Sequence, residues 1–287
     1  MEPDNQMNNN SALTARALPA RHGIAWLFQS MALFRAQPGR LFLLAMLLQF
    51  MMGLTQVPIV GFLLIISVPA LTAGLLQAFL VTENGGRPSP GLLFLPLISG
   101  THTLRMLGMG AVMFIVGVLT VSLVLSGNEL IQDPELLSRI EQGDVEAFAS
   151  LDQDALRSLV LAFLLGIGVS GTLSYMTIPL MWFHNRKLGS ALVGGLKAMV
   201  VNWKPFLVLG IGLAAVMVPV SLAAGILFLW AGSAGSLSIV VLGLVMILLL
   251  AFQLILFGTQ FCAFRDIFGV EASPGKSEEQ DDGQLIA

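Results

Sequence analysis

The chain has 287 residues, 56% of them apolar and only 11% charged, with a formal net charge of −3 and a mean hydropathy of +0.85. Soluble domains carry about 25% charged residues, so this composition excludes a disordered chain, a coiled coil and a nucleic-acid binder with its basic stripe. A polytopic integral membrane protein remains. One cysteine rules out a disulfide framework, and three histidines are too few for a conventional zinc site, so no cofactor is expected.

Residues 1–20 are polar and Asn-rich (Asn5, Asn8, Asn9, Asn10) and lack the apolar h-region of a secretory signal. They read as a disordered cytoplasmic leader. Ile24, Leu27, Phe28, Met31 and Phe34 then recur at helical spacing up to the Pro38-Gly39 break. This spacing predicts an amphipathic helix in the interface, anchored by Trp26 and Arg35; the alternative is an extension of the following span. The block from Leu41 to Val81 is twice what one crossing of about 20 residues needs. Thr55-Gln56-Val57-Pro58 divides it into spans over 40–56 and 58–82, the second kinked at Pro69.

A third span runs from Met106 to Leu125. The link at 126–157 follows, with Pro134-Glu135 and Leu151-Asp152-Gln153-Asp154 each suited to open a short amphipathic helix. A fourth span covers Ser158 to Trp182. Leu188, Leu192, Leu196, Met199 and Trp203 predict a second interfacial helix, anchored by Trp203 and Lys204. The fifth span, Phe206 to Trp230, and the sixth, Ile239 to Phe264, are joined by a turn at Gly232, Ala234 and Gly235. Residues 266–287 form an acidic tail, read as disordered. The predicted fold is therefore all-α and integral to the membrane over residues 21–265. It has six transmembrane helices arranged as three hairpins, with amphipathic helices before spans one and five. The segment Pro90 to Arg105 is a weaker third copy of the same lead-in.

Lys and Arg near span ends set orientation. Arg16, Arg21, Arg35 and Arg40 precede span one, and Arg186, Lys187, Lys197 and Lys204 separate spans four and five without an acid. The 126–157 link instead carries eight acids: Glu129, Asp133, Glu135, Glu141, Asp144, Glu146, Asp152 and Asp154. The expectation is a bacterial inner-membrane protein with both termini cytoplasmic and an acidic periplasmic loop.

Arg16-Ala17-Leu18-Pro19-Ala20 with Gly23 and Trp26, then Leu33-Phe34-Arg35 and Pro38, resembles the opening of an uncharacterised family of proteobacterial polytopic inner-membrane proteins. Glu83-Asn84-Gly85-Gly86-Arg87-Pro88, Ile178-Pro179-Leu180, Ala198 and Asn202-Trp203-Lys204-Pro205-Phe206 are similar to its later segments. More distantly, the architecture is similar to the membrane domain attached to some glycerophosphoryl diester phosphodiesterases, whose catalytic domain this chain lacks. The resemblance implies topology and location and carries no activity.

Gly166-Ile167-Gly168-Val169-Ser170-Gly171 fits two motifs. As a dinucleotide loop it needs a strand before it and an acid about 20 residues on, which a mid-membrane helix does not offer. As the Gly-x-Ser-Gly of an intramembrane protease it needs a histidine base on another span. His22 and His102 lie outside the spans, and His184 ends the same span. Gly166, Ser170 and Ser174 therefore read as a small-residue row for close helix packing. Gln49, Gln77, Ser170, Ser174, Tyr175 and Gln253 are the candidates to line a solute path, against the simpler reading of interhelical hydrogen bonding. No span holds an ionisable residue away from its ends, which weighs against proton-coupled transport.

The expected function is non-catalytic: an envelope structural, scaffolding or accessory protein of the inner membrane. Its partners would be membrane lipids, including anionic headgroups, and a membrane protein not yet identified, with no nucleic acid. The alternative is a permease or channel-like protein for a small or lipid-like solute. A cavity lined by Gln49, Gln77 and Gln253 favours the alternative, and a bundle closed by Leu, Val and Phe favours the first.

Overall fold

The computed structural model describes residues 15–126, 134–141, 146, 151–233 and 238–270. Its helices are α1 (His22–Ala36), α2 (Pro38–Gly53), α3 (Pro58–Glu83), α4 (Gly91–Phe94), α5 (Thr101–Leu125), α6 (Pro134–Glu141), α7 (Gln153–Phe183), α8 (Leu188–Val201), α9 (Trp203–Ser233) and α10 (Ser238–Phe268). The described residues contain no strand. Among the described residues, six helices are long and apolar enough to cross a membrane: Pro38–Gln56, Ile59–Glu83, Thr101–Leu125, Gln153–Phe183, Trp203–Trp230 and Ser238–Phe268. The chain is an all-helical, multi-pass membrane protein.

The breaks follow from proline. Gln37 (φ −140°, ψ 57°) and Val57 (φ −86°, ψ 116°) leave the helical region directly before Pro38 and Pro58, each of which opens the next helix. Proline at the following position disfavours αR, and its own missing N–H is harmless in a first turn. A 3₁₀ turn, Leu54–Gln56, bridges α2 to α3. Between α8 and α9 a single residue, Asn202, interrupts the helix.

Three boundaries differ from the sequence expectation. Leu151-Asp152-Gln153-Asp154 opens no separate short helix. Asp152 is instead the N-cap of α7, its carboxylate accepting from Ala155 N at 2.7 Å. That cap extends α7 to 31 residues, about 46 Å at 1.5 Å per residue and longer than the hydrocarbon core of about 30 Å. The fifth span starts at Trp203 rather than Phe206. The leader expected over 1–20 gives way to fixed chain from Ala15: Arg16 N donates to Ile267 O at 3.1 Å, and Leu18 N to Asn202 Oδ1 at 2.8 Å. The loop residues Glu129, Asp133 and Asp144, the turn residues Ala234 and Gly235, and the tail from 271 lie outside the described residues.

Helix α5 packs against α7 and α3, α9 packs against α10, and α8 lies on α7. Helix α1 is wedged between α9 and α10. Burial is uneven along the spans. In α3 the buried stretch is Ala70–Phe79, while Ile59 is 80% exposed; in α10 Gly258–Phe264 is buried, while Ile239 is 79% exposed. In α7 Met176–Phe183 is buried, while Phe163 and Leu164 are exposed. These buried ends meet one another, so the core sits at one end of the molecule, hereafter the packed end. Lipid is as apolar as leucine and imposes no hydrophobic penalty on the other halves.

Candidate functional site at the packed end

Three helices deliver polar groups to the packed end from positions far apart in sequence. The guanidinium of Arg265, in the last turn of α10, donates through Nη1 to Glu83 of α3 and through Nη2 to Gln29 Oε1 of α1 at 2.9 Å. It also donates to the neighbouring Asp266 Oδ1, from Nε at 3.0 Å and Nη2 at 2.9 Å. Asp266 Oδ2 accepts from the indole of Trp26 at 2.9 Å, and His22 Nδ1 lies 3.5 Å from the same oxygen. The Arg265, Glu83 and Asp266 side chains retain 26%, 27% and 17% of their exposure. Water still reaches them, so the ion pairs contribute of order 0–1 kcal/mol. Their use is positional, since the network fixes the ends of α1, α3 and α10 in one register.

Beneath it lies an aromatic layer. Phe261 stacks on Phe79 with ring centroids 6.3 Å apart, and Phe183 stacks on Phe264 at 5.6 Å. His184, at the end of α7, sits 5.5 Å from the Phe264 ring, and its Nε2 is 3.1 Å from Gly269 O. On the far side, Trp26 packs on Phe206 of α9 at 5.4 Å. Asn202 is fully buried. Its amide donates to Arg16 O and Ala198 O, both at 3.0 Å, while its oxygen takes Leu18 N. The irregular chain before α1 is thereby tied to the α8–α9 corner.

The sequence-predicted polar residues do not converge. Gln49 is exposed on α2, and Gln253 is half-buried on α10. Gln77 is buried and accepts the indole N–H of Trp182 at 2.9 Å. Tyr175 contributes its backbone oxygen to Gln260 Nε2 at 2.8 Å, its ring standing edge-on to Phe206. Ser174 donates to Gly171 O within its own helix at 3.0 Å. Ser170 Oγ points at Met113 O of α5 from 3.5 Å, the limit of a hydrogen bond. A Cβ on Gly166 would lie 3.4 Å from Val121 Cγ2, and one on Gly117 would lie 3.6 Å from Ser170 Oγ. The Gly166–Ser170 face thus meets α5 closely, while Ser174 is buried one turn on. The depression formed by Leu165, Gly168, Val169, Thr172 and Leu173 is a shallow, apolar feature of α7 alone.

Of the four residues expected as interfacial anchors, Trp203, Arg35 and Lys204 are exposed, with the Lys204 ammonium 5.8 Å from the Trp203 ring centre. Trp26 is enclosed by protein, and its indole N–H is committed to Asp266. Sequence reasoning missed the Arg265–Glu83–Asp266 network because charges beside span ends were read as topology signals. The available hint was that Arg265 and Asp266 continue the helical register of span six. Among the described residues no three His, Cys, Asp or Glu side chains are grouped as metal ligands would be. Compared with known proteins, the chain matches no family model, no curated protein and no solved structure.

Proposed function

We infer that the chain is a non-catalytic integral protein of a bacterial inner membrane, with a structural, scaffolding or accessory role in the envelope. One observation carries this reading. Gln77 and Gln260 are spent on fastening helix to helix, Ser174 and Thr177 on their own helix backbone, and the core around them is Leu, Phe, Ala and Met. A permease needs polar groups that converge on a shared space, and Gln49, Gln77 and Gln253 are separated in exposure and in partner.

The orientation proposed places the packed end in the cytoplasm, because Arg21, Lys187 and Lys204 attach to helix ends there. The link between α5 and α7 then faces the periplasm. The six spans are read as three hairpins, α2–α3, α5–α7 and α9–α10, all entering from the same side. Helix α8, with exposed Val193, Leu196 and Val200, is read as the interfacial helix before span five. Helix α1 is its partially inserted counterpart, presenting Ile24 and Phe28 to lipid.

Two measurements test the proposal. Reporter fusions after residue 140 should report the periplasm, and fusions after 195 and 275 the cytoplasm. Single cysteines at Gln77, Ser174 and Gln253, in a Cys262→Ala chain reconstituted into proteoliposomes, should resist a membrane-impermeant maleimide. Labelling of all three from the aqueous phase would replace the structural reading with a permease.

A further inference from the structure

Among the described residues, basic side chains at the packed end outnumber the acids there, Glu83 and Asp266. The sequence has no acid between Glu83 and Glu129 and none between Asp154 and Asp266. Glu83 and Asp266 are already engaged by Arg265, Trp26 and His22. The surplus is gathered where α5 meets the turn between α7 and α8. There Arg105 Nη1 donates to the backbone oxygen of Asn185 at 3.2 Å and to its side-chain oxygen. Asn185 has φ 50°, a left-handed conformation that asparagine adopts more readily than most residues. That conformation turns both oxygens toward one guanidinium nitrogen, leaving the Nε and Nη2 donors of Arg105 for another acceptor.

Two residues on, Lys187 is exposed. Gly108, nearly one turn along α5 from Arg105, faces the first residue of α8: a Cβ on it would lie 4.0 Å from Leu188 Cδ2. The chain around Lys187 is therefore set beside the start of α5. Aliphatic surface adjoins Arg105, its neighbour Leu104 on α5 being 76% exposed. Cations beside open hydrocarbon surface fit an occupant that is anionic at one end and apolar at the other. A guanidinium with free donors suits phosphate oxygens in particular.

We propose that Arg105 and Lys187, the former positioned by Asn185, bind the phosphate of an anionic phospholipid headgroup, with an acyl chain along Leu104. The proposal rests on the membrane reading above and adds a defined lipid site to it. Juxtamembrane cations attract anionic lipid by about 1 kcal/mol each, so the pair accounts for roughly a thirtyfold preference over a zwitterionic lipid and Lys187 alone for about fivefold.

The test is thermal unfolding of the full chain in detergent micelles, titrated separately with dioleoylphosphatidylglycerol, dioleoylphosphatidylcholine and inorganic phosphate at constant ionic strength. Phosphatidylglycerol should raise the unfolding temperature of the wild type. Half-maximal protection should need about thirtyfold more of it in R105Q/K187Q and about fivefold more in K187Q. K187Q changes an exposed residue and keeps the test open if the double variant does not fold. Equal titrations in wild type and K187Q, or equal protection by phosphatidylcholine, overturn the site. Protection by inorganic phosphate as strong as by phosphatidylglycerol overturns the lipid assignment in favour of a free anion. None of these outcomes alters the maleimide result, which reads the interior of the spans.

Discussion

The indole of Trp26 donates to the carboxylate of Asp266 at 2.9 Å, joining the first helix of the chain to the last turn of its final span. Trp26 is fully buried, so the carboxylate is held by a donor that water cannot replace without the helices parting. Trp26→Phe keeps the ring packing on Phe206 and removes only this N–H. Hydrogen bonds to charged groups contribute about 1.5–3 kcal/mol, and a loss at the lower end of that range is expected because Arg265 and water still serve Asp266. Thermal unfolding in detergent measures it. An unchanged midpoint would show that the bond does not hold α1 in place.

Close approach of α1 to α10 depends on Gly258. A Cβ there would run into Ser30 Oγ, which itself donates to Ile255 O at 2.8 Å. Gly258→Ala is expected to cost about 1–3 kcal/mol, as overpacking does. Ser30→Gly should restore part of that loss, and a double-mutant cycle checks the coupling. Strict additivity would place the damage elsewhere.

Asn202 makes three hydrogen bonds from a fully buried position. Asn202→Leu strands Leu18 N and Arg16 O, at about 1–3 kcal/mol for each group left unpaired and dry. The loosened strap should expose the Arg16 and Arg21 bonds to trypsin. Limited proteolysis of the purified variant should therefore trim the N-terminus markedly faster than in wild type, with the spans intact.

The α5–α7 contact makes opposite predictions at neighbouring positions. Gly166→Leu fills the space in front of Val121 and should lower the yield of monodisperse protein on size exclusion. Ser170→Ala removes only a contact at the 3.5 Å limit and should leave yield and any phenotype unchanged. Loss of a phenotype in well-expressed Ser170→Ala would revive a nucleophilic role for that hydroxyl.

The spans were legible because runs of about 20 apolar residues broken by Pro38, Pro58 and Pro205 have one inexpensive solution in a bilayer. The uneven packing was not. Leu63, exposed on α3, and Leu75, fully buried on the same helix, look identical in hydropathy, since lipid and protein are equally good solvents for leucine. The candidate site was hidden for a different reason. Its contacts join residues separated by 182 and 240 positions, and no local period reports such pairing. Gln77 was legible as a buried polar group needing a partner, but Trp182 as that partner was not.

The strap from Arg16 to Leu18 closes on Asn202 and Ile267, and α1 occupies a groove formed by the last two spans. Synthesis is vectorial, so that groove does not exist when α1 leaves the ribosome. The first helix to be made is the last to be seated. Until those two spans are in place, Trp26 and Ser30 lack the partners that Asp266, Phe206 and Ile255 supply.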